Sequence, residues 1–130
     1  YLARYQVADL FLDTRPFNAG TTASDALRMG LPVLTLEGNS FNSREAASVI
    51  SALNLPELIT TTKEEYESLA IELATNPAKL KIIKDKLASN LSTAPLYNTK
   101  LFTKNLESAY TEMYDRYQRG LEPDHIYVKH

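Results

Sequence analysis

Apolar and polar positions change their period along this chain, and each change marks an element. The run "VADLFLDT" (7–14) is apolar, of strand length, and closes on Asp13 and Thr14, with Pro16, Asn18 and Gly20 as loop punctuation behind it. A short helix is predicted over about 22–29, stopped by Gly30, and "LPVLTLE" (31–37) reads as a second strand. The loop "GNSFNS" leads into a helix from about Ser43 to Leu53, with Ala46, Ala47, Val49, Ile50 and Leu53 along one side. A third, short strand "ELIT" (57–60) follows Pro56.

From there the pattern is helical. Thr62 and Glu65 stand at capping-box spacing, and Tyr66, Leu69, Ala70 and Leu73 then recur on one face. "NPAKLKIIKDKLASNL" restarts at Pro77, a favoured first-turn residue, with Leu80, Ile83 and Leu87 as its stripe. After "STAPLYN", a long helix over about 99–118 carries Phe102, Leu106, Ala109, Tyr110, Met113 and Tyr117 on one side. Tyr110, Tyr114 and Tyr117 at that spacing read as a packing surface.

Strands alternating with helices imply right-handed crossovers and a parallel sheet, so the fold class is α/β. The first two strands are apolar throughout, as central strands are, and three strands alone leave open edges. Further strands are therefore expected from residues preceding Tyr1. The opening "YLARYQV" lacks Met and reads as the tail of a helix, so a segment of a longer polypeptide is expected. The expected organisation is an α/β half-lobe over 1–60, helices of the same lobe over 61–118, and a tail over 119–130.

At 130 residues the chain has the size of about one domain. A net charge of −2 argues against a general nucleic-acid or anionic-membrane surface. With no cysteine there is no disulfide framework, thiolate nucleophile or Cys-based zinc site, which fits a reducing, cytoplasmic setting. No apolar stretch approaches the ~18 residues of a membrane span.

Candidate chemistry concentrates in "PFNAGTTASDALRMG" (16–30). Ligands of open α/β sheets bind where strand ends lead into helix N-termini, and this stretch holds that position. Free amides and the positive end of the helix dipole receive anions, typically phosphate. Gly20 has no Cβ to hold a ligand off, and Thr21 and Thr22 add hydroxyls beside the amides. A second reading fits the same spacing. Thr22 to Asp25 matches Ser/Thr-x-x-Asp/Glu, so Thr22 can be a plain N-cap with Asp25 as its reciprocal partner.

The full set of motifs, "ADLFLDTRPFNAGTTASDALRMGLPVLTLEGNSFNSREAASVISALNLPELI", "EEYESLAIELATNPAKL" and "APLYNTKLFTKNLESAYTEMY", resembles the C-terminal catalytic region of the O-GlcNAc transferase and SPINDLY family, over roughly residues 1 to 118 with order and spacing kept. The resemblance implies the later part of the Rossmann-like, donor-binding lobe of a GT-B glycosyltransferase. It further implies an inverting, metal-independent enzyme that takes UDP-GlcNAc and modifies Ser or Thr of protein acceptors, with an N-terminal lobe and tetratricopeptide repeats in the same polypeptide. The family pattern is His or Gly, then Thr-Thr-x-x-Asp. Thr21 and Thr22 match the threonines facing the diphosphate, Asp25 matches the ribose-binding carboxylate, and Gly20 retains only a backbone role where other members have His.

Other positions carry weaker expectations. Phe17 reads as a core or loop-anchoring aromatic, or as a face for the donor sugar; Asn18 reads as a turn former, with fixing of the loop as the alternative. Arg44 opens a helix, where a cation is unfavourable, so an acidic or anionic partner is expected beside it. Asp9 and Asp13 bracket the first strand, and Asp13 reads as solvated or capping, with orientation of the loop as the alternative. His125 and His130 have no partner at metal or triad spacing. No catalytic base is identifiable. The rival functions are a non-catalytic nucleotide-sugar-binding or interaction module, and a relative that uses fucose or glucose donors.

Overall fold

The computed structural model describes residues 1–128, so His130 lies outside the described residues. The chain forms two compact units, Tyr1–Ala94 and a second beginning at Pro95. In the first, a 3-10 turn over Leu2–Val7 precedes strand β1 (Phe11–Leu12), helix α1 (Thr21–Arg28), strand β2 (Val33–Leu36), helix α2 (Glu45–Ala52) and strand β3 (Ile59–Thr60). Helices α3 (Lys63–Thr75) and α4 (Pro77–Leu91) complete that unit, and α5 (Thr99–Gln118) is the helix of the second.

The three strands form a parallel sheet in the order β1-β2-β3, with Phe11 opposite Val33 and Thr35 opposite Ile59. All four residues of β2 are buried, so both of its faces are covered. α1 and α2, the helices of two successive crossovers, pack on β2 and on each other, while α3 covers β2 and β3 and carries α4. Ala23, Ala26 and Leu27 of α1, Leu34 of β2, Ile50 of α2, Leu73 of α3 and Leu87 of α4 meet in the core.

The expected α/β order is the observed one, with shifts at individual elements. The run 7–14 pairs over only two residues, because Val7 belongs to the opening turn and stands 88% exposed. Within the described sheet β1 is an edge rather than a central strand, and Leu12 on it is 53% exposed. The helix expected from Ser43 divides into a 3-10 turn (Phe41–Ser43) and α2, and "ELIT" splits into a turn (Pro56–Leu58) and β3.

Later boundaries follow their local signals. Thr62 Oγ1 accepts from the Glu65 N–H at 3.1 Å, and the Glu65 carboxylate accepts from the Thr61 N–H at 3.0 Å and the Thr62 N–H at 3.2 Å. Those bonds, Thr61's first, hold the Glu65 carboxyl below its ordinary value. Asn76 caps α4 through the Lys79 N–H at 3.1 Å, ahead of Pro77, and Asn98 caps α5 through the Leu101 N–H at 3.0 Å. The apolar side of α5 is open to solvent at Phe102, Tyr110, Met113 and Tyr117. Among the described residues no helix is long and apolar enough to cross a membrane.

The layered core sets a stability contrast. Leu34→Ala, at a fully buried site in β2, should cost about 2–5 kcal/mol, whereas Ile82→Ala, 67% exposed on α4, should stay within about 0.5 kcal/mol. Urea denaturation of the two variants measures the difference, and equal losses would contradict this core.

Candidate functional site

The chain leaves β1 at Asp13, whose side chain is 7% exposed and fully engaged. Its Oδ1 accepts from the Thr14 N–H at 2.8 Å and the Ala19 N–H at 2.7 Å, and Oδ2 accepts from the Thr35 hydroxyl of β2 at 2.6 Å. Burial of a carboxylate is tolerated here because each oxygen has a donor. The loop between then closes on itself. The Thr14 hydroxyl donates to the Phe17 carbonyl at 2.8 Å, and Asn18 Nδ2 donates to the Thr14 carbonyl at 2.9 Å.

Two further bonds tie the loop to its neighbours. The Asn18 N–H donates to the Asn42 carbonyl at 2.9 Å, which joins it to the loop after β2. The Tyr66 hydroxyl of α3 donates to the Asp13 carbonyl at 2.8 Å. Burial first, and then the Asp13 charge, raise the Tyr66 phenol above its ordinary value.

This frame delivers the start of α1. Gly20 is the N-cap residue, Thr21 and Thr22 occupy the first turn with both side chains exposed, and no side chain caps the helix. The capping reading of Thr22 is therefore corrected: the N-cap is Gly20, two residues earlier, so the Thr22 hydroxyl lies past the cap position, and Asp25 falls beyond the first turn. Asp25 is half-buried beside the opening turn. There the Tyr5 phenol is pushed up to about 12, chiefly by its hydrogen bond with Tyr1, with the Asp25 charge a smaller contributor.

Gly20 has φ −95° and ψ −89°, so no left-handed backbone requires glycine there. A Cβ on Gly20 would lie 2.7 Å from Glu45 Cδ and overlap its carboxylate, the far end of a flexible side chain that the first turn of α2 lays on Gly20. The adjacent Arg44 is the N-cap residue of α2 and pairs with Glu37 at 3.3 Å, which supplies the acidic partner expected for it. Glu37, Phe41, Arg44, Glu45 and Ser48 line a cleft of about 610 Å³ along the start of α2.

The remaining candidates sort by position. Phe17 is 62% exposed, which excludes a core role. Asn18 is 1% exposed and ties the loop, the alternative given for it, with its Oδ1 lacking a partner. Asp9 pairs with Lys84 at 2.7 Å, away from the loop. His125 is exposed, bonded through its N–H to Asp124 and near the Tyr127 ring.

A model of the family described as glycosyl transferase family 41 matches residues 1–106. The chain belongs to that family. As a family 41 chain it is 35% identical over 126 residues to the UDP-N-acetylglucosamine–peptide N-acetylglucosaminyltransferase of Caenorhabditis elegans, which covers 97% of this chain and 11% of that protein. It is 36% identical over 129 residues to the probable enzyme of that name, SEC, of Arabidopsis thaliana, covering 98% of this chain and 13% of the relative. Among solved structures, a K341M mutant of Thermobaculum terrenum O-GlcNAc transferase superposes with a TM-score of 0.78 at 36% identity, over 87% of this chain and 22% of that one. This family 41 chain thus spans about a tenth of the length of these two curated relatives.

Sequence reasoning undervalued Asp13 and missed Glu45. An acidic residue at the carboxyl end of an apolar strand was the available signal for the first. Glu45 carried none, since only the fold brings it to Gly20.

The frame around Asp13 is testable. Thr35→Val should cost about 1–3 kcal/mol by leaving a buried carboxylate oxygen without its donor. Tyr66→Phe should cost about 1 kcal/mol at neutral pH. Because the folded Tyr66 value is raised, its stabilisation is complete below the ordinary 10.0 and is lost as pH climbs through the folded value. Urea midpoints between about pH 8 and 11 should therefore converge for wild type and Tyr66→Phe, as judged against the ordinary phenol value.

Proposed function

We propose that this chain supplies the donor-diphosphate wall of a UDP-sugar-dependent protein glycosyltransferase of the O-GlcNAc transferase type. The observation that carries this reading is the start of α1: an N-terminus without a side-chain cap, with two exposed threonines, held at the carboxyl ends of β1 and β2. Thr21 and Thr22 meet the diphosphate through amides and hydroxyls, and Asp25 accepts from the ribose hydroxyls. UDP-GlcNAc as donor and peptide Ser or Thr as acceptor follow the names of the relatives.

The chemistry follows from where charge moves. As the anomeric bond breaks, negative charge grows on the departing diphosphate, and amides already aimed there stabilise the transition state more than the ground state. No metal ion takes part in this scheme, because helix-end donors carry the neutralisation. The catalytic base and acceptor groove belong to family architecture to which these 130 residues do not align, with an N-terminal lobe, tetratricopeptide repeats and a cytoplasmic setting.

Calorimetric titration of UDP and UDP-GlcNAc into the chain tests the assignment. Thr22→Val and Asp25→Ala should each weaken both ligands by about 5- to 100-fold, the loss of about 1–3 kcal/mol, with unchanged thermal melts. Affinities within about twofold of wild type for both variants would refute the pocket, taking one lost hydrogen bond as the yardstick. Equal binding of GDP-fucose would move the donor assignment to another sugar.

A further inference from the structure

Glu45 brings a carboxylate to the N-cap residue of α1. Its carboxylate rests against Gly20, the N-cap residue, in the space that any larger side chain at that position would fill. Among the described residues it forms no ion pair, because Arg44 beside it is taken by Glu37. The first amides of α1 have no side-chain cap, and the carboxylate lying against the N-cap residue comes from the next crossover. A carboxylate is favoured at the positive end of a helix for the reason that phosphate is.

We propose that Glu45 is an internal stand-in for the donor diphosphate, which seats on the start of α1 in the empty site and must leave when the nucleotide arrives. This regulation rests on the nucleotide reading given above. Two like charges cannot share the helix end, so binding of a diphosphate drives the Glu45 side chain off Gly20. The cleft of about 610 Å³ beside it, lined by Glu45 itself, Arg44 and Ser48, offers the space to receive the displaced carboxylate. A ligand that binds only the vacated state has its affinity lowered by the fraction of molecules in that state. Glu45 therefore sets the nucleotide threshold without touching the sugar.

The test is calorimetric titration of UDP, and of UDP-GlcNAc, into the wild-type chain and its Glu45→Gln and Glu45→Asp variants. Glu45→Gln keeps the shape and removes the charge, and should tighten both ligands by about 3- to 10-fold, the scale of one charge at a helix end. Glu45→Asp keeps the charge but withdraws it by one methylene from Gly20, and should give a smaller gain of the same sign. Unchanged or weaker UDP binding by Glu45→Gln overturns the proposal. So does weakening confined to UDP-GlcNAc, which would make Glu45 a sugar ligand. If Glu45→Asp stays at the wild-type value while Glu45→Gln gains, the effect is general charge and the seat on Gly20 is wrong. Thr22→Val in the same series separates the two levels: its insensitivity to UDP sinks the nucleotide site, while the Glu45 variants judge only the displacement.

Discussion

The buried carboxylate of Asp13 is the constraint on which the functional end of this fold depends. Removing such a charge from water costs several kcal/mol unless donors replace the lost hydration, and here two loop amides and the Thr35 hydroxyl do so. That requirement leaves the loop 14–19 one favourable course, because Ala19 must turn its N–H back to the residue at which the strand ended. Tyr66 holds the same residue from α3 through the Asp13 carbonyl. The position and direction of α1, and so of its free N-terminal amides, are consequences of satisfying one acid.

This explains which parts of the fold were legible in the sequence. Helix starts governed by side chains three residues away were readable: the Thr62 and Glu65 box, Asn76 with Pro77, and the span of α5. Their determinants are local, so local pattern suffices. The first strand was read too long because pairing is decided by the neighbour, and β2 offers Phe11 and Leu12 partners while Val7 has none. The start of α1 was misplaced for a related reason. Thr22 and Asp25 carried a valid capping spacing, yet the closure of the loop on Asp13 sets the cap two residues earlier, at Gly20.

The candidate site divides along the same line. Its hydroxyls and glycine could be listed from composition and order, since they sit in consecutive positions ahead of a helix. What surrounds them could not. Asp13 finds Thr35 at a separation of 22 residues, and Glu45 reaches Gly20 from another helix altogether. Arg44 was intermediate: its unfavourable place at a helix start announced an acidic neighbour, but only the fold identified Glu37. The exposed apolar side of α5 follows the pattern read for it, as a stripe of correct spacing.

A glycine at the cap of α1 gives up a little stability, since serine or aspartate there adds roughly a few tenths of a kcal/mol by occupying an amide. Such a side chain would also be permanent. An acceptor anchored on the helix itself would saturate the donors that a phosphate needs and would project into its path. A bare cap opposed by the long side chain of Glu45 resolves the conflict differently under the displacement proposed for it: the carboxylate lies against the cap while the site is empty and leaves by a torsional change when it fills. Rigidity is then placed in the loop, where Asp13 fixes the amides, and mobility in one side chain across from them. Geometry that must be right before reaction is held by buried hydrogen bonds, and the charge that must move is left at the surface.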